Sequence, residues 1–133
     1  MGLLAAGEGG AENAPQTAEQ LLTLADSPDV PLVYRQIATL KAVALPGSEM
    51  SLEDKRDRLD GMTASGGVVR LLAEEQLALV DLEAGARDAA LERLRGIYES
   101  AEATAGLRRR AEQLIVALDG DIEEVPVGAT DGN

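Results

Sequence analysis

The sequence predicts an all-α fold, a short α-solenoid of helical hairpins, and three observations carry that prediction. The first is a recurring helix end. Leu3-Leu4-Ala5-Ala6-Gly7, Ala42-Val43-Ala44-Leu45-Pro46-Gly47, Leu82-Glu83-Ala84-Gly85 and Val116-Ala117-Leu118-Asp119-Gly120 close alike, their glycines 40, 38 and 35 residues apart. The second is an echo upstream of the last three: Arg35-x-x-Ala38, Arg70-x-x-Ala73 and Arg108-x-x-Ala111. The third is composition. Ala, Leu and Val dominate the apolar residues, with no Phe, no Trp and two Tyr, and small aliphatic side chains suit closely packed helices better than strands. A helix that ends on glycine at such a period marks an array in which each hairpin buries its apolar face against its neighbours.

Residues 1–16 form a Gly- and Ala-rich leader. In the register of the repeat, Leu3 to Gly7 reads as the last turn of a helix whose beginning is missing, so the chain is expected to start partway through a longer protein; the alternative is a disordered leader. Thr17-Ala18-Glu19-Gln20 has the pattern of a capping box and opens a short helix to about Ala25, with Leu21, Leu22 and Leu24 facing inward. Asp26-Ser27-Pro28-Asp29 is a turn. Pro31 suits the first turn of a second helix, where its missing amide hydrogen costs nothing. That helix runs to about Ala44, stops before Pro46, and has Leu32, Ile37, Leu40 and Val43 among its apolar positions.

Ser51-Leu52-Glu53-Asp54 starts a highly charged third helix that ends near Gly61, in which Leu52, Leu59 and Met62 are the residues able to pack. Ser65-Gly66-Gly67 breaks the chain before a helix over Val68 to Ala84. Leu71, Leu72, Leu77, Leu79, Val80 and Leu82 make its middle apolar nearly all round, which predicts a central helix covered on two sides. Gly85 supplies the left-handed residue at its end. Asp88 is expected to cap the next helix, to about Ser100, with Ala90, Leu91, Leu94 and Ile97 buried. Thr104 caps the last, in which Leu107, Ala111, Leu114, Ile115 and Leu118 form one stripe and Gly120 ends the helix. Residues 17–120 are thus the repeat domain, and 121–133 an acidic tail with little that would order it.

The composition also excludes function classes. A formal net charge of −12 disfavours nucleic acid, whose affinity comes largely from neutralised phosphates, and disfavours anionic membrane surfaces. Without cysteine there is no disulfide or thiolate metal site. No apolar run approaches the ~20 residues of a membrane-spanning helix, and the N-terminus lacks the basic segment of a signal peptide, so the chain as given reads as soluble.

Residues 71–104 resemble a degenerate tetratricopeptide repeat. Leu77-Ala78 stand where the consensus has Leu and a small residue, Gly85 stands at the turn, and Ala90 and Leu94 stand on the second helix. The consensus aromatics and terminal Pro are absent, with Glu74 and Asp81 where the first two aromatics would be. A closer resemblance lies in Tyr34-Arg35-Gln36-Ile37-Ala38-x-Leu40-Lys41, Ala73-Glu74-Glu75-Gln76-Leu77-Ala78-Leu79 and Gly106-Leu107-Arg108-Arg109-Arg110-Ala111. These look like recurring segments of tetratricopeptide-like proteins of alphaproteobacteria that are similar to the ancillary subunit of the Sec translocon. Over roughly residues 20–120, the resemblance implies a protein of the inner membrane facing the periplasm, with one N-terminal anchoring helix and a soluble helical-repeat domain. This chain has no such helix.

Catalytic chemistry has little to draw on. With no His and no Cys, the commonest general base and the thiol nucleophile are both missing, and Glu74 and Glu75 read as paired rather than catalytic carboxylates. No cofactor is expected. Asp119-Gly120-Asp121-Ile122-Glu123 hints at a calcium loop, but the sixth position is Glu124 rather than Gly and Pro126 interrupts the ligand spacing, so no metal site is assigned. Ala25-Asp26-Ser27-Pro28 is reminiscent of the phosphopantetheine serine of acidic carrier proteins, but there an apolar residue follows the serine and opens a helix, and here Pro28 and Asp29 make a turn.

Arg35, Arg70 and Arg108 could line a groove for an acidic peptide, but are expected instead to pair with carboxylates of adjacent helices. In a tetratricopeptide register the first helices of successive repeats line the concave face. That register places Glu75 and Leu79 beside Arg109 and Gln113 as the candidate partner-binding surface. The sequence therefore points to a non-enzymatic scaffold that binds a protein or peptide, near secretion or chaperoning by family resemblance. The alternative is a self-associating helical module, such as a homodimer, without a peptide groove.

Overall fold

Helices make up every regular element among the described residues, which in the computed structural model are 10–118, with side chains from Asn13 onward. The order is α1 (Gly10–Ala25), α2 (Leu32–Ala44), α3 (Leu52–Asp60), a 3₁₀ turn (Thr63–Ser65), α4 (Gly67–Glu83), α5 (Arg87–Glu99) and α6 (Ala105–Ala117). The helix end at Leu3–Gly7, the closing Gly120, the Asp119–Glu124 segment and the acidic tail lie outside the described residues. The described residues divide into two compact units, one up to Ala64 and one from Ser65 onward.

In the first unit α1 begins well before the expected Thr17, which sits half-buried inside the helix, and Pro15 lies within the helix. Small-residue burial overrides the capping signal: Ala14, Ala18 and Ala25 recur at helical spacing and are at most 9% exposed. At the far end Ser27 Oγ donates to the Thr23 carbonyl at 2.7 Å, satisfying one of the carbonyls the helix leaves open. Pro28 and Asp29 then form the turn closed by Val30 N–H to the Ser27 carbonyl. Pro31 precedes α2 as its cap residue.

The expected inward face of α1 is also corrected, and of the apolar positions named on α2 only Val43 is buried. α1 and α2 pack closely, and what they bury is mostly alanine, Ala38 and Ala42 of α2 among them, together with Val43 and Thr39. Leu24, Leu32 and Ile37 are exposed, and Leu21, Leu22 and Leu40 are only half-buried. Small residues at the contact let two backbones approach, and the larger neighbours are left at its margins. Ser51 caps α3 as expected, its Oγ accepting from Asp54 N–H at 3.0 Å. Leu59 and Met62 are buried, and Leu52 is half-buried.

The second unit is a three-helix stack with one contiguous core, made of Leu71, Ala78, Ala90, Leu91, Leu94, Ile97, Leu107, Ala111 and Ile115. Helix α5 packs against both α4 and α6. Helix α4 ends as its glycine predicts. Gly85 has φ +83°, its N–H donates to the Leu82 carbonyl, and Ala86 N–H reaches back to Asp81 at 2.8 Å; this is a Schellman motif. The chain passes at once into α5, so Asp88 lies in the first turn of α5 and does not cap it. Thr104 does cap α6, accepting from Leu107 N–H at 3.1 Å.

Candidate functional site

The repeated Arg-x-x-Ala segments occupy equivalent places in α2, α4 and α6. In each helix the arginine is the fourth residue, and the alanine one turn later is buried: Ala38, Ala73 and Ala111 are at most 2% exposed. Seven residues after the arginine come Ala42, Leu77 and Ile115, all buried. The three helices therefore turn the same stripe inward.

The arginines serve the connection that precedes or faces them. Arg35 Nε donates to the Val30 carbonyl at 2.8 Å, just ahead of α2. Arg108 donates to the carbonyls of Tyr98 (3.2 Å) and Ser100 (2.9 Å), where α5 gives way to α6. A cation at these open carbonyls is favoured by the negative end of the helix dipole. Arg70 reaches Glu102 in that same connection at 3.6 Å. The expected pairing with carboxylates of adjacent helices is thus corrected: two of the three arginines hold backbone carbonyls, and the third holds a loop carboxylate.

Carboxylates of α4 tie the second unit together. Arg93 of α5 bonds Asp81 (Nε to Oδ2, 2.8 Å) and Glu74 (Nη1 to Oε1, 2.7 Å), one above the other on α4. The Asp81 side chain is 3% exposed. Burial works against the Arg93 cation, but the hydrogen bonds it donates to Asp81 and then Glu74 more than offset it, and its pKa is raised. A shared guanidinium thus holds α5 to α4.

On another side of α4, Glu75 accepts two bonds from Arg110 of α6, at 2.8 and 3.1 Å. Donating to the Glu75 carboxylate raises the Arg110 pKa. Of the four residues expected to form a partner surface, Glu75 is thus buried and engaged by Arg110. Leu79, Arg109 and Gln113 are exposed, with Leu79 one turn beyond Glu75 and Gln113 one turn beyond Arg109.

A second feature escapes the sequence reading. The first unit contains a cleft between α1 and α3, floored in part by Ala18, Leu22 and Met50. Its two lobes, of about 340 and 300 Å³, share Leu22, Met50 and Asp54. Glu19, Asp26, Glu49, Asp54 and Asp57 also line it, against one basic residue, Arg58. Arg58 is held by Asp26 in a two-pronged pair at 3.1 and 3.0 Å. That hydrogen bonding sets the Asp26 carboxyl below the ordinary carboxylate range. The signal is present in Asp54, Asp57 and Arg58, which share one side of α3, but a highly charged short helix reads by default as a solvated face.

Among the described residues no group of acidic side chains is arranged to hold a metal ion, and no helix is long and apolar enough to cross a membrane. No protein-family model, curated protein or solved structure matches this chain.

Proposed function

We propose that the chain is a non-catalytic scaffold for protein–protein interaction, built from tetratricopeptide-like helical hairpins stacked as a short α-solenoid. The observation that carries this reading is the shared register of α2, α4 and α6, with arginine fourth, alanine buried one turn on and a buried residue one turn beyond that. A repeated unit that braces its own connections is the construction of a helical array, and arrays present extended surfaces to partners. The Glu75–Arg110 pair, joining the first helix of one hairpin to the first helix of the next, is in keeping with that order. Leu79, Arg109 and Gln113 are its exposed contact residues.

The family resemblance adds a location and a role, those of the soluble domain of an inner-membrane protein facing the periplasm and acting near secretion or chaperoning. That part of the reading rests on the resemblance alone. A self-associating module is the second reading, favoured by the exposed Val33, Tyr34 and Ile37 of α2.

The test is affinity capture from the source cell with the chain and its Leu79→Glu/Arg109→Glu variant as baits, followed by mass spectrometry. The scaffold reading expects translocon or periplasmic chaperone components with the parent and their loss with the variant. Recovery of the chain alone, with a dimeric mass by light scattering, favours the self-associating module.

A further inference from the structure

We infer that the cleft of the first unit is a second docking surface, in addition to Leu79, Arg109 and Gln113, and takes a basic, amphipathic segment of a partner protein, an inference that rests on the scaffold reading. The floor and the rim make different demands. Leu22 and Met50 offer an apolar seat between α1 and α3, and the seat gains from covering by an apolar side chain, not by water. Around it stand Glu19, Glu49, Asp54 and Asp57. The lone guanidinium lining the cleft, that of Arg58, already serves Asp26, so the residues lining the cleft carry a net negative charge. An apolar anchor flanked by Arg or Lys satisfies both parts, the anchor on Leu22 and Met50 and the cations at the carboxylates.

Other occupants fit less well. A second copy of the chain would bring another net charge of −12 to an acidic rim, and like-charge juxtaposition opposes that encounter. A small ligand needs a pocket that encloses most of its surface, and this cleft lies open along its length. An open trough with a central apolar seat suits a side chain carried on a longer segment.

The experiment uses the whole chain and a fluorescently labelled synthetic peptide with a leucine pair between arginines. Two control peptides replace the leucines by glycine or the arginines by glutamate. Saturable binding is expected, weakened roughly tenfold by Asp54→Asn/Asp57→Asn, as loss of two rim charges allows. Met50→Ser and the leucine-free peptide should weaken it comparably, and circular dichroism melting of each variant reports whether the fold is kept. Amide hydrogen exchange should place the protection on α1, α3 and the connection around Met50.

Equal binding of the leucine-free peptide, or indifference to the double variant, overturns the inference in favour of unspecific charge attraction. Protection at Leu79, Arg109 and Gln113 instead overturns the cleft and leaves the scaffold reading standing. No binding of any peptide also overturns the cleft, and the capture experiment decides the scaffold reading separately. A dimer that Asp54→Asn/Asp57→Asn dissociates would assign the cleft to a second copy and refute a basic partner.

Discussion

The two units are made from helices of similar length, yet they hold themselves together by different means. The second unit buries large side chains: Leu71, Leu77, Leu94, Ile97, Leu107 and Ile115 are all under 2% exposed, whereas Leu59 is the one large side chain of the first unit to reach that level among the described residues. The first unit buries alanines and leaves Leu24, Leu32, Val33, Tyr34 and Ile37 at the surface. Its helix α2 is apolar on both sides: Ala38 and Ala42 turn inward, while Val33, Ile37 and Ala44 lie together on the exposed side. The same contrast holds for ion pairs. Arg93 sits between two largely buried carboxylates, whereas the Arg58 pair joins an Asp26 that is 62% exposed. Helix periodicity is common to both units, and side-chain volume and desolvation set them apart.

The strongest way to break the comparison is to remove Arg93. Arg93→Met leaves Asp81 as a buried carboxylate without its guanidinium, a kind of change that costs about 3–5 kcal/mol. Against the roughly 5–15 kcal/mol that holds a typical domain, the second unit should open at much lower urea, with hydrogen exchange accelerating in α4, α5 and α6. Adding Glu74→Leu and Asp81→Leu should restore most of the loss, because replacing a whole buried ionic cluster with apolar residues is often neutral or stabilising. If Arg93→Met alone is neutral, the clamp is ornamental and the core carries the unit unaided.

The sizes of residues in the first unit give a sharper test, because they invert the usual expectation. Ala42 is fully buried and Ile37 is 43% exposed. Ala42→Leu should therefore destabilise by about 1–3 kcal/mol through overpacking of a close contact. Ile37→Ala should fall within about 0.5 kcal/mol, as surface changes do. Urea unfolding of both variants checks the order. A larger loss from Ile37→Ala would mean that something covers the outer face of α2.

Much of the second unit was legible because its signals are local. Thr104 is a helix cap with the spacing that capping needs, as Ser51 is in the first unit, and Gly85 sits where a left-handed residue is required. The stripe of α5 places Ala90, Leu91, Leu94 and Ile97 in the core as its period says. The first unit was harder to read. Hydrophobicity ranks leucine above alanine, so a contact built on Ala14, Ala18, Ala38 and Ala42 looks like the wrong face, and the Thr17 capping pattern hides a helix already under way. The Arg93 clamp was half visible, since Glu74 and Asp81 stood out as departures from the consensus, but their common partner lies on another helix. The acidic cleft draws on α1, on the connection at Met50 and on α3, and no short sequence window contains all three.

The smallest expected effect is also the most diagnostic of the difference in burial. The hydrogen bond from Arg58 lowers the Asp26 pKa, so Asp26 contributes stability above its unfolded-state pKa. That contribution is lost as pH falls through the lower folded-state value. Arg58→Met should return Asp26 to the ordinary carboxylate range, read directly by NMR titration of its carboxyl carbon, and should flatten that part of the acid limb. The accompanying loss at neutral pH should stay within the ~0–1 kcal/mol of exposed pairs, far below the loss from Arg93→Met. Equal losses from the two substitutions would mean that exposure does not separate the two pairs, and the contrast between the units would then reduce to side-chain volume alone.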